Sequence, residues 1–235
     1  MKIAVDLHIH SCLSPCSDMD MTPNNIANMA RLKGLDAIAV SDHNSAGNLL
    51  ACKTAAEAAG LLFVPAIEAE SAEEVHVLCY FHTVEDALKM GEVLYQHLPD
   101  IKNTPKFFGE QLVADDRDNP VGSEPRLLVQ STDLSVDSIA KVCRSLHGVP
   151  VPAHINRASN SILSSLGFIP EHLDLRSVEV ARGMASPPME LESYRVFCSS
   201  DAHELSSILE REQFIDVFER SVDGILAYLD AKNSC

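Results

Sequence analysis

No apolar run in this sequence approaches the roughly 20 residues needed to cross a bilayer. The longest, such as Ala37 to Val40 and Leu61 to Ala66, fall far short, and no transmembrane segment is expected. The N-terminus passes from Met1-Lys2 straight into Ile3-Ala4-Val5-Asp6. It lacks the apolar stretch and small-residue cleavage site of a secretory leader, so a cytoplasmic location is expected. Basic residues are scarce, with 18 Lys and Arg against 34 Asp and Glu and a formal net charge of −16. That balance argues against a broad nucleic-acid-binding face, which needs clustered Lys and Arg. There is no paired cysteine framework either. Seven cysteines at irregular spacing imply reduced, mostly buried thiols. Cys12 and Cys16 lack CxxC spacing and read as loop or packing residues. The chain has no internal repeat and no low-complexity tail, and nothing in it specifies an oligomeric state.

What is present is an alternation of strands and helices. The length of 235 residues suits one domain, 1–235, with a full core. Strands are expected over Ile3 to Ile9, Ala37 to Val40, Leu62 to Ile67, Val75 to Phe81, Val149 to Ala153, Ser177 to Ala181 and Arg195 to Cys198. Their continuous apolar character suggests a parallel sheet buried on both faces. Thr22-Pro23 opens a helix that ends at Lys33-Gly34. Ala46 to Ala59, Val84 to Leu98 and Ser135 to Leu146 continue the pattern, and Ser221 to Ala231 reads as a last helix packed on the outside. From about 100 to 132 the alternation stops. Asp115-Asp116-Arg117-Asp118-Asn119-Pro120 reads as a turn between Gln111-Leu112-Val113 and Leu127-Leu128-Val129, giving an inserted hairpin over the mouth of a barrel. The region from Pro170 to Tyr194 is less regular, broken by Pro187-Pro188.

Histidines and carboxylates gather at the ends of these strands, where βα-barrel enzymes place their sites. His8 and His10, two apart, share one face of the first strand, as a single metal centre requires. His43 follows the second strand in Ser41-Asp42-His43-Asn44, and Glu68 ends the third. His76 lies in Val75-His76-Val77-Leu78, His154 ends the fifth strand, and Asp201 and His203 end the seventh. Glu70, Glu73 and Glu74 read as solvated. Any one of these positions has an ordinary structural explanation, but together they point to a multi-metal hydrolytic site.

In their order along the chain, HIH, SDHN, a strand-end Glu, VHVL, PAHIN and SSDAH resemble the polymerase and histidinol phosphatase (PHP) family of metal-dependent phosphoesterases. The resemblance implies a distorted seven-stranded β/α barrel, incomplete relative to the eight-stranded form, holding two to three divalent ions (Zn, Mn or Fe). It implies one ion on His8, His10, Glu68 and Asp201, a second on Glu68, His76 and His154, and a third on His43 and His203. The third ion's remaining ligand departs from the family pattern. Asp18 is the expected ligand, with Asp20 and Cys16 as alternatives. Asp6 and Asp42 are expected to orient imidazoles from behind.

With three ions, the carboxylates and a bridging hydroxide, about two positive charges remain, matching a phosphate monoester dianion. The expected substrate is a small phosphorylated molecule, including a nucleotide, a nucleoside bisphosphate or the end of a short oligonucleotide. A metal-bridging hydroxide would attack in line. Asp201 and His203 would serve the reaction as well as the metal, with Arg157 and Arg182 clamping phosphate oxygens. His82 is a weaker candidate as proton donor. The competing readings are an amidohydrolase, which also opens a barrel with HxH, and a non-catalytic metal-binding or regulatory protein of the same family.

Overall fold

The computed structural model describes residues 1–187 and 189–232. Pro188, the second residue of the Pro-Pro break, and residues 233–235 of the single-domain span lie outside them. The described strands are β1 (Lys2–Ile9), β2 (Ala37–Val40), β3 (Leu62–Glu70), β4 (His76–Tyr80), β5 (Leu112–Ala114), β6 (Pro120–Ser123), β7 (Val149–Pro152), β8 (Ser177–Ala181), β9 (Arg195–Ser199) and β10 (Phe214–Asp216). The helices are α1 (Pro23–Leu32), α2 (Leu49–Ala58), α3 (Val84–His97), α4 (Pro105–Phe108), α5 (Val136–Ser145), α6 (Ile162–Leu166) and α7 (Val222–Asp230). None of the described helices is long and apolar enough to cross a membrane.

Six strands form one curled sheet in the order β10-β1-β2-β3-β4-β7, while β8 and β9 pair separately. The expected single seven-stranded barrel is therefore a six-stranded half-barrel and a two-stranded pair. The pair meets the larger sheet through isolated contacts: Ile155 N–H donates to Glu179 O beside β7, and His10 N–H donates to Ala202 O beside β1.

The sheet is also mixed, which corrects the all-parallel expectation. β1, β2 and β3 run parallel, but β4 is antiparallel to both β3 and β7. The reason is the short link from Glu70 to His76, since a parallel crossover needs a dozen or more residues. Because β4 runs backwards, His76 at its start lies at the same end as the C-termini of its neighbours. β10 adds antiparallel to β1.

Alternation along each strand separates two cores. Ile3, Val5 and Leu7, Ala37 and Ala39, Val64 and Ala66, Leu78 and Tyr80, Val149 and Val151, and Phe197 fill the concave face. Ile38, Phe63, Ile67, Val77, Cys79 and Val178 face the helices on the other side. Side chains two apart share a face, so Glu68 and Glu70 continue the concave row of Val64 and Ala66. His76 likewise continues that of Leu78, and Glu179 is two residues from buried Ser177. On β1 the register shifts between Asp6 and Ile9. Leu7 belongs to the concave core and Ile9 to the outer one, so this irregularity turns His8 and His10 inward, as bulges beside active sites do. The concave row is apolar below and polar above.

Contrary to the expectation of an outside helix, Ile225, Leu226 and Leu229 of α7 pack into the concave core. The 100–132 insert does contain a hairpin, but its second arm is Pro120–Ser123 rather than Leu127-Leu128-Val129. Pro120 sits at the edge of a two-stranded ladder, where its missing N–H costs nothing. Leu128 instead packs with Leu13 and Leu98, and Gln111 bridges the insert by donating to Glu124 O and Arg126 O.

Candidate metal centre

Glu68, buried at the end of β3, is the hub of the polar upper row. Its Oε1 lies 2.8 Å from His76 Nδ1, 3.1 Å from His154 Nε2 and 3.4 Å from His8 Nε2. Its Oε2 lies 3.0 Å from His43 Nδ1 and 3.3 Å from His10 Nε2. Asp201 Oδ1 completes the nest at 3.2 Å from His8 Nε2 and 3.1 Å from His10 Nε2. The structure thus brings together His8, His10, His43, Glu68, His76, His154, Asp201 and His203. Within this assembly three groups of donors converge tightly: His8, His10 and Asp201; His43, Glu68 and His76; and His10, His43 and His203.

The hydrogen bonds behind the imidazoles dictate their tautomers. His8 Nδ1 sits 3.0 Å from Glu179 Oε2, and a carboxylate only accepts, so Nδ1 carries the proton. His10 Nδ1 sits 2.9 Å from Ser14 Oγ, whose own proton goes to Asp42 Oδ1 at 2.7 Å. Ser14 therefore accepts from His10. The two Nε2 atoms face each other across 3.1 Å with a carboxylate oxygen beside them, an arrangement that needs a proton or a metal ion between them. A point shared by donors spaced 3.1–3.2 Å lies about 2 Å from each, the length of a Zn–N or Zn–O bond.

The orphaned atoms give the same answer. His43 Nδ1, Glu68 Oε2, His154 Nδ1 and Asp201 Oδ1 are buried without a hydrogen-bond partner, although such atoms are normally satisfied. His43 Nδ1 and Glu68 Oε2 are close enough to bond but are not aligned to do so. The donor set fits divalent ions, for which mixed imidazole and carboxylate ligands suit Zn, Mn and Fe.

Protonation follows from the same crowding. Burial opposes a charge on His8, yet Glu179, Asp201 and Glu68 outweigh it and raise its pKa well above 6.5. Burial likewise disfavours the Glu68 carboxylate, but His76, His8 and His43 hold its pKa well below the ordinary range. Burial and the nearby His10 lower His203 to about 4, leaving it a neutral imidazole. Its Nδ1 proton is donated to Asp201 O at 2.8 Å.

Two of these donors hold left-handed backbone: His154 at φ 29° and Asp201 at φ 50°. Such conformations are disfavoured for residues with a Cβ and concentrate at functional sites. Local bonds hold both. His154 N–H donates to Glu179 Oε2 at 2.9 Å. Around Asp201, Ser200 N–H donates to Asp6 Oδ1, and Ala202 N–H donates to Ser200 Oγ. Asp6 therefore anchors backbone, with Leu209 N–H on its other oxygen, and, contrary to the expectation that it orients an imidazole, its hydrogen bonds among the described residues go to backbone N–H groups. Asp42 meets that expectation indirectly, through Ser14.

The site opens into a cavity of about 410 Å³ lined by Cys16, His43, Glu68, Glu70, His76, Val129, Arg157, Asn160, Asp201 and His203. Arg157 reaches it with Nη2 2.6 Å from Asp201 Oδ2. Arg182 does not; it is exposed and paired with Glu212 at 2.6 Å. His82 is likewise half-exposed and paired with Asp223. Asp18 and Asp20 are exposed and do not line the cavity; Asp18 meets His203 only by donating its backbone N–H to His203 O. Cys16 is on the lining and, like Asp18 and Asp20, is exposed; desolvation at the cavity wall, with Glu68 and Asp201, pushes its thiol up to about 12.

Glu70 corrects the solvated reading. It is buried on the concave face, 3.6 Å from His76 Nε2, and accepts from Ser131 Oγ at 2.9 Å. Glu179 had no role in the sequence reading. Its signal was there, in a charged residue alternating with Val178 and Val180 inside a buried strand.

By sequence, no family model matches the chain and no curated protein matches it. By structure, the chain is similar to the lesion-specific endonuclease Q of Pyrococcus furiosus, at TM-score 0.66 and 19% identity over 98% of this chain. The chain spans 56% of that protein's length. It is also similar to a Bifidobacterium adolescentis protein described as a metal-dependent phosphoesterase, at TM-score 0.64 and 21% identity over 95% of this chain and 96% of the other. An amidohydrolase from Chromobacterium violaceum with bound sulfate matches at TM-score 0.58 and 16% identity, over 93% of each chain. These likenesses show the fold, an α/β half-barrel.

Proposed function

We propose that the chain is a metal-dependent phosphoesterase that hydrolyses a phosphate monoester on a nucleotide, a nucleoside bisphosphate, an oligonucleotide end or a small phosphorylated metabolite. The observation that carries this reading is the convergence of unpartnered His43, Glu68 and Asp201 atoms on the cavity that Arg157 enters. Bound at this nest, two or three Zn, Mn or Fe ions would act as Lewis acids toward a phosphoryl oxygen and acidify a water at neutral pH.

The chain's own residues do the rest. Glu179 and Ser14 fix His8 and His10 as donors of Nε2 lone pairs, and Glu68 and Asp201 supply the negative charge that balances the ions. Arg157 keeps one nitrogen on Asp201 and offers its remaining N–H groups to non-bridging phosphoryl oxygens. Reaction through water needs no Ser or Cys nucleophile. The cavity is of the size that holds a small ligand, and the charge of −16 disfavours a long nucleic-acid track.

The test is phosphate release from nucleotides, nucleoside bisphosphates, sugar phosphates and short 5′-phosphorylated oligonucleotides, with Zn, Mn and Fe each supplied. A duplex carrying an abasic site, the substrate bound by endonuclease Q, belongs beside them. Release from at least one monoester supports the proposal. Amide cleavage without any phosphate release would replace it with the amidohydrolase reading, and metal binding without turnover would favour a regulatory protein.

A further inference from the structure

We propose that Glu70 determines the specificity of the cavity: its free carboxylate oxygen takes a hydroxyl or ammonium donor on the leaving group and rejects a second phosphate there. This rests on the phosphoesterase reading above and narrows its substrates to monoesters of small alcohols that carry such a donor. Once the metal donors are set aside, Cys16, Glu70, Val129, Arg157 and Asn160 are what the lining offers a substrate. Arg157 is the cation among them and Glu70 the anion.

Glu70 is held firmly and left half unsatisfied. Its side chain is only 10% exposed. Oε1 accepts from Ser131 Oγ at 2.9 Å and from Asn160 Nδ2 at 3.4 Å, and neither partner brings a positive charge to offset the carboxylate. The backbone is fixed as well: its N–H donates to Asn44 Oδ1, and its carbonyl accepts from the N–H and the hydroxyl of Thr132. Oε2 meets His76 Nε2 at 3.6 Å, too far for a direct hydrogen bond. A buried carboxylate oxygen without a donor is costly, and at a cavity wall a substrate can supply the donor.

The turn after β7 ties the two charges together. It carries Arg157 and, three residues on, Asn160 at φ 54°. Asn160 bonds Glu70 with its side chain and accepts from His76 N–H with its carbonyl. Arg157 pairs with Asp201, next to the Ala202 that meets β1, whereas Glu70 ends β3. The cavity thus has a basic pole for the phosphoryl group and an acidic pole for the leaving group. There a hydroxyl or ammonium group donates to Oε2, an apolar group leaves it unpaired, and a second phosphate meets like charge.

A three-carbon series tests this on the metal-loaded whole chain: propyl phosphate, glycerol 3-phosphate, 3-aminopropyl phosphate and propane-1,3-diol bisphosphate. The ratio of kcat/KM for two substrates on one preparation does not depend on how much of the protein is metal-loaded or active, so a loss of metal or fold in a variant cancels. The wild type is expected to favour glycerol 3-phosphate or 3-aminopropyl phosphate over both of the others by about 10- to 100-fold; the better of the two tells hydroxyl from amine. In Glu70→Gln the preference should collapse toward one. Ser131→Ala, which loosens the carboxylate without removing it, should fall between and decides the matter if Glu70→Gln is inactive. A wild type that favours propyl phosphate or the bisphosphate, or ratios unchanged in both variants, would overturn the Glu70 assignment while leaving the phosphoesterase intact. No phosphate release from any monoester would overturn both.

Discussion

Glu179 Oε2 accepts from two groups at once, His8 Nδ1 at 3.0 Å and the backbone N–H of His154 at 2.9 Å. One carboxylate on β8 thereby sets the tautomer of a donor on β1 and holds the left-handed turn that presents a donor after β7. In Glu179→Gln a single carbonyl oxygen must serve both, and the charge that strengthens His8 as a donor is gone. Metal affinity is expected to fall about 10- to 100-fold, as for other residues that orient a ligand. Zinc titration against a competing chelator measures it, and an unchanged affinity would remove Glu179 from the account.

Among the described residues Arg157 meets the centre through Asp201, so its loss should separate substrate binding from metal binding. A hydrogen bond to a charged group contributes about 1.5–3 kcal/mol, and Arg157→Ala is expected to lower kcat/KM for a phosphorylated substrate by roughly 10- to 100-fold. Bound metal should not change. Loss of metal in Arg157→Ala would mean that the arginine positions Asp201 rather than substrate.

His76 makes the metal-free chain sensitive to pH. Burial lowers its pKa, but Glu68 and Glu70 prevail and raise it from 6.5 to about 10. A folded value above the unfolded one means that the bound proton stabilises the fold fully below pH 6.5, and that this contribution is lost as pH rises through about 10. The Tm of the chelator-treated protein is therefore expected to fall between those limits. Zinc-loaded protein, in which a metal replaces the proton, should show a weaker slope. Thermal melts at stepped pH compare the two, and a metal-free Tm that climbs over this range contradicts the assignment.

Gly109 joins the insert to the turn that carries Cys16. Its φ of 98° excludes most residues with a Cβ, and the added carbon would meet Pro15 O. Gly109→Ala is expected to cost more than about 1 kcal/mol, read as a lower Tm. Increased amide exchange should be confined to the insert and residues 14–18. Unchanged exchange there would show that the insert does not brace the turn.

The legible part of this molecule was whatever alternation controls. The i, i+2 spacing of His8 and His10 placed both on one face, and the apolar runs located the main strands. Glu70 was legible by the same rule, two residues after Glu68 on one strand, but its acidic neighbours made the segment look solvated. The reversal of β4 could also have been read, from the five-residue link before it. Glu179 was harder: a buried carboxylate signals a partner, but the partner is 171 residues away on β1. The short β10, which adds to the sheet edge, carries too little pattern to stand out. The arginines were equivalent in sequence; only the fold separates Arg157, facing Asp201, from Arg182, facing Glu212.

Glu68 is the residue on which the account turns, because its two oxygens lie within 3.4 Å of five imidazoles. The most direct measurement is the number of ions retained per chain by the wild type and by Glu68→Gln after loading with zinc or manganese and gel filtration. The wild type is expected to hold two or three, and Glu68→Gln to lose at least one of them along with phosphate release. A Glu68→Gln chain that keeps its full complement of metal, or a wild type that retains less than one ion, would contradict the metal centre.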